Sequence, residues 1–122
     1  MEMTFKQFQQ LNAQRCVEKF HREIDEWTPQ QWALCIAGEA GELCNVLKKV
    51  MRGDVRLFEV RANVIAEIAD VMTYCDLLMT RMGVDTASEV ARKFNEVSKR
   101  VEFQTVIEIS PRGKVEIAEG PN

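Results

Sequence analysis

Residues 38–49 read GEAGELCNVLKK, a stretch with helical spacing in which two glycines and two glutamates interrupt the apolar positions. On a helical wheel the core stripe of this segment runs through Leu43 and Leu47, and Glu39 and Glu42 project beside that stripe rather than on the polar back. Each glycine costs roughly 1 kcal/mol relative to alanine in a helix interior. The stretch therefore predicts a helix with a crowded acidic site, where the missing Cβ atoms allow a ligand or another backbone to come close.

A second segment repeats this arrangement. The apolar period around Ile68 places Glu67 and Asp70 along the edge of its own apolar face, and a short connection favours antiparallel packing of the two helices. Four converging carboxylates repel one another and are costly to desolvate unless protons or cations intervene. An all-oxygen cluster suits a hard ion, Mg²⁺ or Mn²⁺, which also binds substrate phosphates. The predicted metal ligands are Glu39, Glu42, Glu67 and Asp70.

Apolar periodicity and capping signals predict four helices and a short β-hairpin. The helices cover roughly residues 4–26, 29–50, 60–82 and 87–101, with N-caps at Thr4, Thr28 and Thr86 and stops at Gly53 and Gly83. The β-branched runs 105–109 and 114–117 flank the turn residues 110–113, and such a hairpin should lean on the helices or on another subunit. We expect an all-α, four-helix bundle over residues 1–104 followed by a C-terminal hairpin or tail over residues 105–122.

Composition excludes several classes of protein. The 122 residues suit one domain, and 46% hydrophobic with 29% charged residues describes a soluble globular chain. A net charge of -3 gives no support for binding nucleic acid or an anionic membrane, and no apolar run approaches the roughly 18 residues of a membrane span. The 4 cysteines lack CxxC spacing and there is one histidine, so a zinc site is not indicated. We expect a cytoplasmic protein with core thiols.

The paired acidic motif carries a resemblance. Glu39-x-x-Glu42, followed after twenty-four residues by Glu67-x-x-Asp70, resembles the ExxE…ExxD signature of the MazG-like all-α nucleoside triphosphate pyrophosphohydrolases. The similarity covers roughly residues 20–101. It implies an oligomeric MazG-like bundle that binds two or three Mg²⁺ or Mn²⁺ ions and converts a nucleoside triphosphate to monophosphate and pyrophosphate. A homodimer or homotetramer is implied, with part of the site supplied by a neighbouring subunit.

The resemblance also implies roles for individual residues. Glu39 and Glu42 would be catalytic, with Glu39 either ligating metal or taking a proton from the attacking water. The implied substrate-binding residues are Tyr74, Lys93, Asn95 and Arg100. Related deoxycytidine triphosphatases carry a tryptophan where this chain has Lys49 and an asparagine where it has Val97. These two differences argue against specificity for a pyrimidine. The form Lys93-Phe94-Asn95 resembles phage and bacterial stand-alone enzymes, and favours a purine deoxynucleotide, dGTP or dATP.

Several alternatives stay open on the sequence. ExxE occurs by chance in many helices, Tyr74 also fits a core-edge aromatic, and the cations near the end of the fourth helix also fit a solvated helix terminus. Glu18-x-x-His21 fits one half of a ferritin-like di-iron site, which needs a second histidine that the chain lacks. A non-enzymatic helical interaction module, docking through its hairpin by strand addition, is the remaining alternative.

Overall fold

The computed structural model describes residues 2–109 and 115–119. Four long helices form most of it, with a short 3₁₀ helix at Ile24–Glu26 after the first. The elements are α1 (Phe5–Phe20), α2 (Pro29–Met51), α3 (Leu57–Arg81), α4 (Thr86–Arg100), β1 (Thr105–Ile109) and β2 (Val115–Glu119). The described chain is mainly helical, which confirms the all-α class and the predicted number of helices.

The helix ends that depend on local signals lie where the sequence places them. Thr4 and Thr28 each accept a hydrogen bond from the backbone N–H three residues further on, at 3.1 and 3.2 Å, and each belongs to a reciprocal capping box. Gly53 and Gly83, which follow α2 and α3, adopt left-handed φ values of 82° and 74°. Glycine takes this conformation without a Cβ clash, so both helices stop there.

Three predicted helix ends are wrong. α3 begins at Leu57 rather than near residue 60. α1 ends at Phe20 rather than near residue 26, because His21 turns left-handed with φ 52°. The N-cap of α4 is Asp85 rather than Thr86, since the Asp85 carboxylate accepts the backbone N–H of Ser88 at 2.9 Å. Thr86 is instead the first residue of the helix, and its hydroxyl bonds elsewhere.

The C-terminal hairpin packs on α4. β1 and β2 pair antiparallel with Ile107 opposite Ile117, while the predicted turn at 110–113 lies outside the described residues. The side-chain amide of Asn95 donates to the Ile107 carbonyl at 2.7 Å and accepts from the Ile107 N–H at 2.9 Å. This two-bond attachment fits the expectation that a two-stranded hairpin needs support from a helix.

The core is small and lies at one end of the molecule. Cys16, Trp32 and Leu77 form its centre, contributed by α1, α2 and α3. α2 packs chiefly against α3, and their antiparallel pairing brings Trp32 within 6.4 Å of Tyr74, ring centre to ring centre. None of the described helices is both long enough and apolar enough to cross a membrane.

Two expectations about burial are wrong. The predicted core stripes include Leu47 and Ile68, which are 38% and 43% exposed because no other element of the described chain covers that part of the α2–α3 hairpin. Of the four thiols, only Cys16 is buried, whereas Cys44 and Cys75 are exposed. Helical periodicity located the apolar faces but not what lies against them.

A buried polar network joins α1, α3 and α4. Asp76 is 2% exposed, and its carboxylate accepts from the Thr86 hydroxyl at 2.6 Å and from the Asn12 amide nitrogen at 2.8 Å. Within the described part of the chain no basic side chain forms an ion pair with Asp76. These neutral donors therefore compensate for the desolvation of the carboxylate, which would otherwise be costly.

We predict that Thr86→Val lowers the free energy of unfolding by about 1–3 kcal/mol, because it removes a donor from the buried Asp76 carboxylate. Urea denaturation followed by circular dichroism measures the change. Thr73→Val is the matched control, since the Thr73 hydroxyl donates to the Ala69 carbonyl of its own helix, and it should cost under about 0.5 kcal/mol. Equal losses in the two variants would contradict the prediction.

Candidate functional site

Three of the four predicted acids come together on the α2–α3 hairpin. Glu39, Glu67 and Asp70 each offer one carboxylate oxygen, and these oxygens all lie within 4.8 Å of one another. Glu42 lies outside this triad, but its charge acts on both Glu39 and Glu67. The i, i+3 spacing on each helix and the antiparallel pairing of the helices produce this convergence.

Two oxygens of the cluster are buried without a partner. Glu39 and Glu67 are half-buried, while Glu42 and Asp70 are exposed. Glu39 Oε2 and Glu67 Oε2 are each shielded from solvent and accept no hydrogen bond. Since a buried polar atom is normally satisfied, two orphaned carboxylate oxygens side by side indicate a place where a cation or a proton belongs.

The electrostatics of the cluster shift its proton affinity. Burial raises the pKa of Glu39, and the charges of Glu42, Asp70 and Glu67 raise it further. Burial also raises the pKa of Glu67, with Glu42 as the next cause. A carboxyl group whose pKa is higher in the folded than in the unfolded state destabilises the fold at neutral pH, and the penalty is relieved as pH falls through the raised pKa.

A cleft of about 230 Å³ opens beside the acids, and Glu39 and Asp70 form part of its lining. One wall is aromatic and consists of Trp27, Trp32 and Tyr74, with ring centres 4.7 Å apart for the two tryptophans. The volume corresponds to roughly eight water molecules. The cleft therefore has room for a one- or two-ring planar group.

Hydrogen bonds hold the aromatic wall in place. The Trp32 indole N–H donates to the Ile24 carbonyl at 3.0 Å, and the Arg81 Nε donates to the Trp27 carbonyl at 2.7 Å. The Arg22 guanidinium lies over the Trp27 ring, 4.3 Å from its centre. A cation over an aromatic face is favourable, so Arg22 adds to the rigidity of the wall.

The sequence analysis missed the contribution of α1. Asn12, Arg15 and Arg22 all line the cleft. Apolar spacing in the first helix favours a stripe that includes Leu11 and Cys16. In the structure Cys16 is buried, but Leu11 is 60% exposed and Asn12 is buried instead. The i, i+4 spacing of Asn12 and Cys16 was the available signal, but a search for apolar periodicity does not include it because asparagine is polar.

Tyr74 lies at the predicted position between core and cleft. Its ring packs against Trp32, and the residue also lines the cleft beside Glu39 and Asp70. Burial raises the pKa of Tyr74, and the neighbouring Cys35 and Glu39 contribute to the increase. The phenol therefore keeps its proton at neutral pH and remains a hydrogen-bond donor.

Three other predicted substrate residues lie elsewhere in the single chain. None of the described residues that line the cleft belongs to α4. Lys93 pairs with Glu96 on the exposed side of that helix at 2.7 Å, and Arg100 is its exposed last residue. The Asn95 amide is occupied by the backbone of β1. One chain thus brings the acids together but not these side chains.

Within residues 2–109 and 115–119, the expected crowding around the glycines is also absent. A Cβ atom at Gly38 or Gly41 would meet no atom within 4 Å. The surface of α2 that carries these glycines faces open space in the single chain. Their helix penalty therefore has no explanation in contacts within this chain.

The arrangement combines two kinds of chemistry. An acidic cluster with orphaned oxygens suits a divalent cation, and the adjoining aromatic and cationic cleft suits a planar, polar ligand. No family model, curated protein or solved structure matches the chain.

We predict that Glu67→Gln raises the melting temperature of the metal-free protein near pH 8, because it removes one charge from a repulsive cluster. The gain should shrink as the pH is lowered toward about 5, where the raised pKa values allow the wild-type acids to bind protons. Thermal scans in EDTA across this range measure the effect. Glu108→Gln, which removes an exposed carboxylate on β1, should show no such trend. A loss of stability in Glu67→Gln near pH 8 would contradict the prediction.

Proposed function

We propose that the chain is a metal-dependent nucleoside triphosphate pyrophosphohydrolase. It would convert a (d)NTP, with a purine deoxynucleotide such as dGTP or dATP favoured, to the monophosphate and pyrophosphate. The observation that carries the proposal is the convergence of Glu39, Glu67 and Asp70, with two orphaned buried oxygens, at the edge of an aromatic cleft. The resemblance of the paired acidic motif to the MazG-like family gives the reaction class.

The residues present fit the implied metal. Their donor set is all oxygen, which hard cations prefer, and the orphaned oxygens lack any competing partner. The ions, two or three Mg²⁺ or Mn²⁺, would be held by Glu39, Glu42, Glu67 and Asp70. Such ions, when bound, neutralise phosphate charge and lower the pKa of a bound water.

The remaining chemistry belongs to the side chains. Glu39 belongs to the acidic cluster and also lines the cleft, so its carboxylate is placed to accept a proton from water at their junction. In the proposed reaction a water oxygen bonds to phosphorus while the bond between the α- and β-phosphates breaks. The water's proton passes to Glu39, and pyrophosphate leaves. The aromatic wall positions the base, and this positioning holds the triphosphate over the acids.

We also propose that the working protein is a homodimer or homotetramer. The chain exposes 9218 Å², whereas a compact monomer of 14.0 kDa exposes about 6,700 Å². The excess is about 2,500 Å² for each chain, or about 5,000 Å² for a pair, which lies at the upper end of the total area that obligate homodimers bury. Ile65, Ile68 and Met72 form one exposed apolar stripe on α3, and they are 48%, 43% and 54% exposed. A second copy packed on this stripe would cover it.

Association would also account for the residues that one chain leaves apart. Lys93 and Arg100 lie on α4, away from the acids, although the resemblance gives them phosphate-binding roles. The neighbouring copy's α4 would bring these cations to the phosphates, as the resemblance implies. The open surface at Gly38 and Gly41 would then face that copy.

We predict that the purified protein releases pyrophosphate from at least one canonical or deoxy triphosphate with Mg²⁺ or Mn²⁺, and not in EDTA. Glu39→Gln should lower kcat by about 100-fold or more, because it removes both a ligand and the proton acceptor. Glu108→Gln is the control and should keep wild-type activity. A non-enzymatic interaction module would be indifferent to metal and to Glu39→Gln. If none of the canonical and deoxy triphosphates yields pyrophosphate with Mg²⁺ or Mn²⁺, the proposed activity is refuted.

We predict that Ile65→Glu combined with Met72→Glu converts the oligomer to a monomer, because two buried charges at an interface are costly. Light scattering coupled to gel filtration gives the mass directly. Leu11→Glu, which changes an exposed apolar residue on α1, should leave the mass unchanged. A monomeric wild-type protein would overturn this part of the proposal.

A further inference from the structure

The Asn12 amide is fixed in one orientation. Asn12 is 3% exposed, and its nitrogen donates to the Thr73 carbonyl at 3.0 Å and to the Asp76 carboxylate at 2.8 Å. The Thr73 carbonyl and the Asp76 carboxylate oxygen are the acceptors in these two bonds. If the amide flipped, its oxygen would face two acceptors. The hydrogen bonds around Asp76, including the one from the Thr86 hydroxyl, therefore fix the Asn12 nitrogen toward Asp76 and leave the Asn12 oxygen outside this network.

The Asn12 oxygen is the free end of this amide. No described residue donates a hydrogen bond to Asn12 Oδ1, and it is not among the solvent-shielded, partnerless side-chain atoms of the described chain, which are Glu39 Oε2 and Glu67 Oε2. Asn12 lines the cleft. Asn12 Oδ1 is thus an unpartnered acceptor on a buried side chain that lines the cleft.

Arg15 supplies donors beside this acceptor. It lies three residues after Asn12 on α1, so the two side chains are neighbours on one face, and both line the cleft. In the described part of the chain Arg15 forms no ion pair. A guanidinium carries five N–H donors and no acceptor. The cleft that contains the aromatic wall is therefore also lined by an acceptor and a donor that are neighbours on α1.

We propose that Asn12 and Arg15 read the Watson–Crick edge of a nucleobase held against Trp27 and Tyr74. Every canonical base has an N–H donor next to an acceptor on that edge, so the pair fits an unmodified base. The Asn12 oxygen accepts the base N–H and Arg15 donates to the neighbouring acceptor. Bases whose edge N–H groups are replaced by methyl groups lose the bond to Asn12 and are excluded. This inference rests on the proposed nucleotide substrate.

The test compares the best canonical triphosphate with its edge-methylated analogue. The analogues are N6,N6-dimethyl for adenine, N1,N2,N2-trimethyl for guanine, N4,N4-dimethyl for cytosine and N3-methyl for thymine or uracil. Wild-type kcat/KM should be at least about tenfold lower for the analogue. In Asn12→Ala, kcat/KM for the canonical substrate should fall, mainly through KM, and the discrimination ratio should collapse to within about threefold. If Asn12→Ala does not fold, Arg15→Gln is the substitute variant, because Arg15 is at an exposed position. Arg15→Gln should raise KM for the canonical substrate.

Asn45→Ala, on the exposed face of α2, is the control and should keep the wild-type ratio. Equal turnover of the methylated analogue by the wild type, or an unchanged ratio in Asn12→Ala, would overturn the inference. A binding assay separates the inference about base recognition from the proposed activity. It measures the quenching of tryptophan fluorescence in EDTA by nucleoside monophosphates and by their methylated analogues. Selective quenching without pyrophosphate release refutes the activity alone, and pyrophosphate release without selectivity refutes the base reading alone.

Discussion

Mutual repulsion among carboxylates on the α2–α3 hairpin is the constraint on which the rest of the site depends. Glu39 and Glu67 are placed partly inside the protein, each with one oxygen that no described residue satisfies. Helices can hold such groups close together only if a cation or a bound proton offsets their charge. The pKa values of Glu39 and Glu67 are raised because burial and the neighbouring carboxylates favour the protonated form. Cation binding at this cluster should therefore increase the stability of the hairpin, because a cation that binds only the folded chain stabilises it.

The sequence predicted those parts of the fold that short-range chemistry determines. Thr4 and Thr28 cap their helices through residues three positions away, and Gly53 ends α2 through its own backbone freedom. The start of α4 was misplaced by one residue because Asp85 and Thr86 both carry suitable cap oxygens. A tertiary hydrogen bond to Asp76 decides between them by occupying the Thr86 hydroxyl, and no local pattern contains that information.

The acidic cluster could be predicted and the cleft could not, for a related reason. The i, i+3 spacing on two consecutive antiparallel helices fixes where Glu39 and Glu67 meet, so local geometry was sufficient. Asn12 and Arg15 belong to a different helix, and only the packing of α1 on α3 shows that they face the cavity. Likewise, the apolar period through Ile68 identified a face that avoids water, but a single chain leaves that face exposed.

The left-handed residue His21 has a consequence for how such a protein can diversify. Because α1 stops there, residues 21–28 form a connector that supplies Arg22 and Trp27 to one wall of the cleft, mostly without regular helical structure. Inserting one residue within a helix rotates everything beyond it by about 100° and would scatter the acids. An insertion or deletion in the connector changes the wall and its contacts with the core, but it leaves the helical positions of the acids on α2 and α3 unchanged. Ligand preference can therefore drift through connector length while the charged centre on α2 and α3 stays intact.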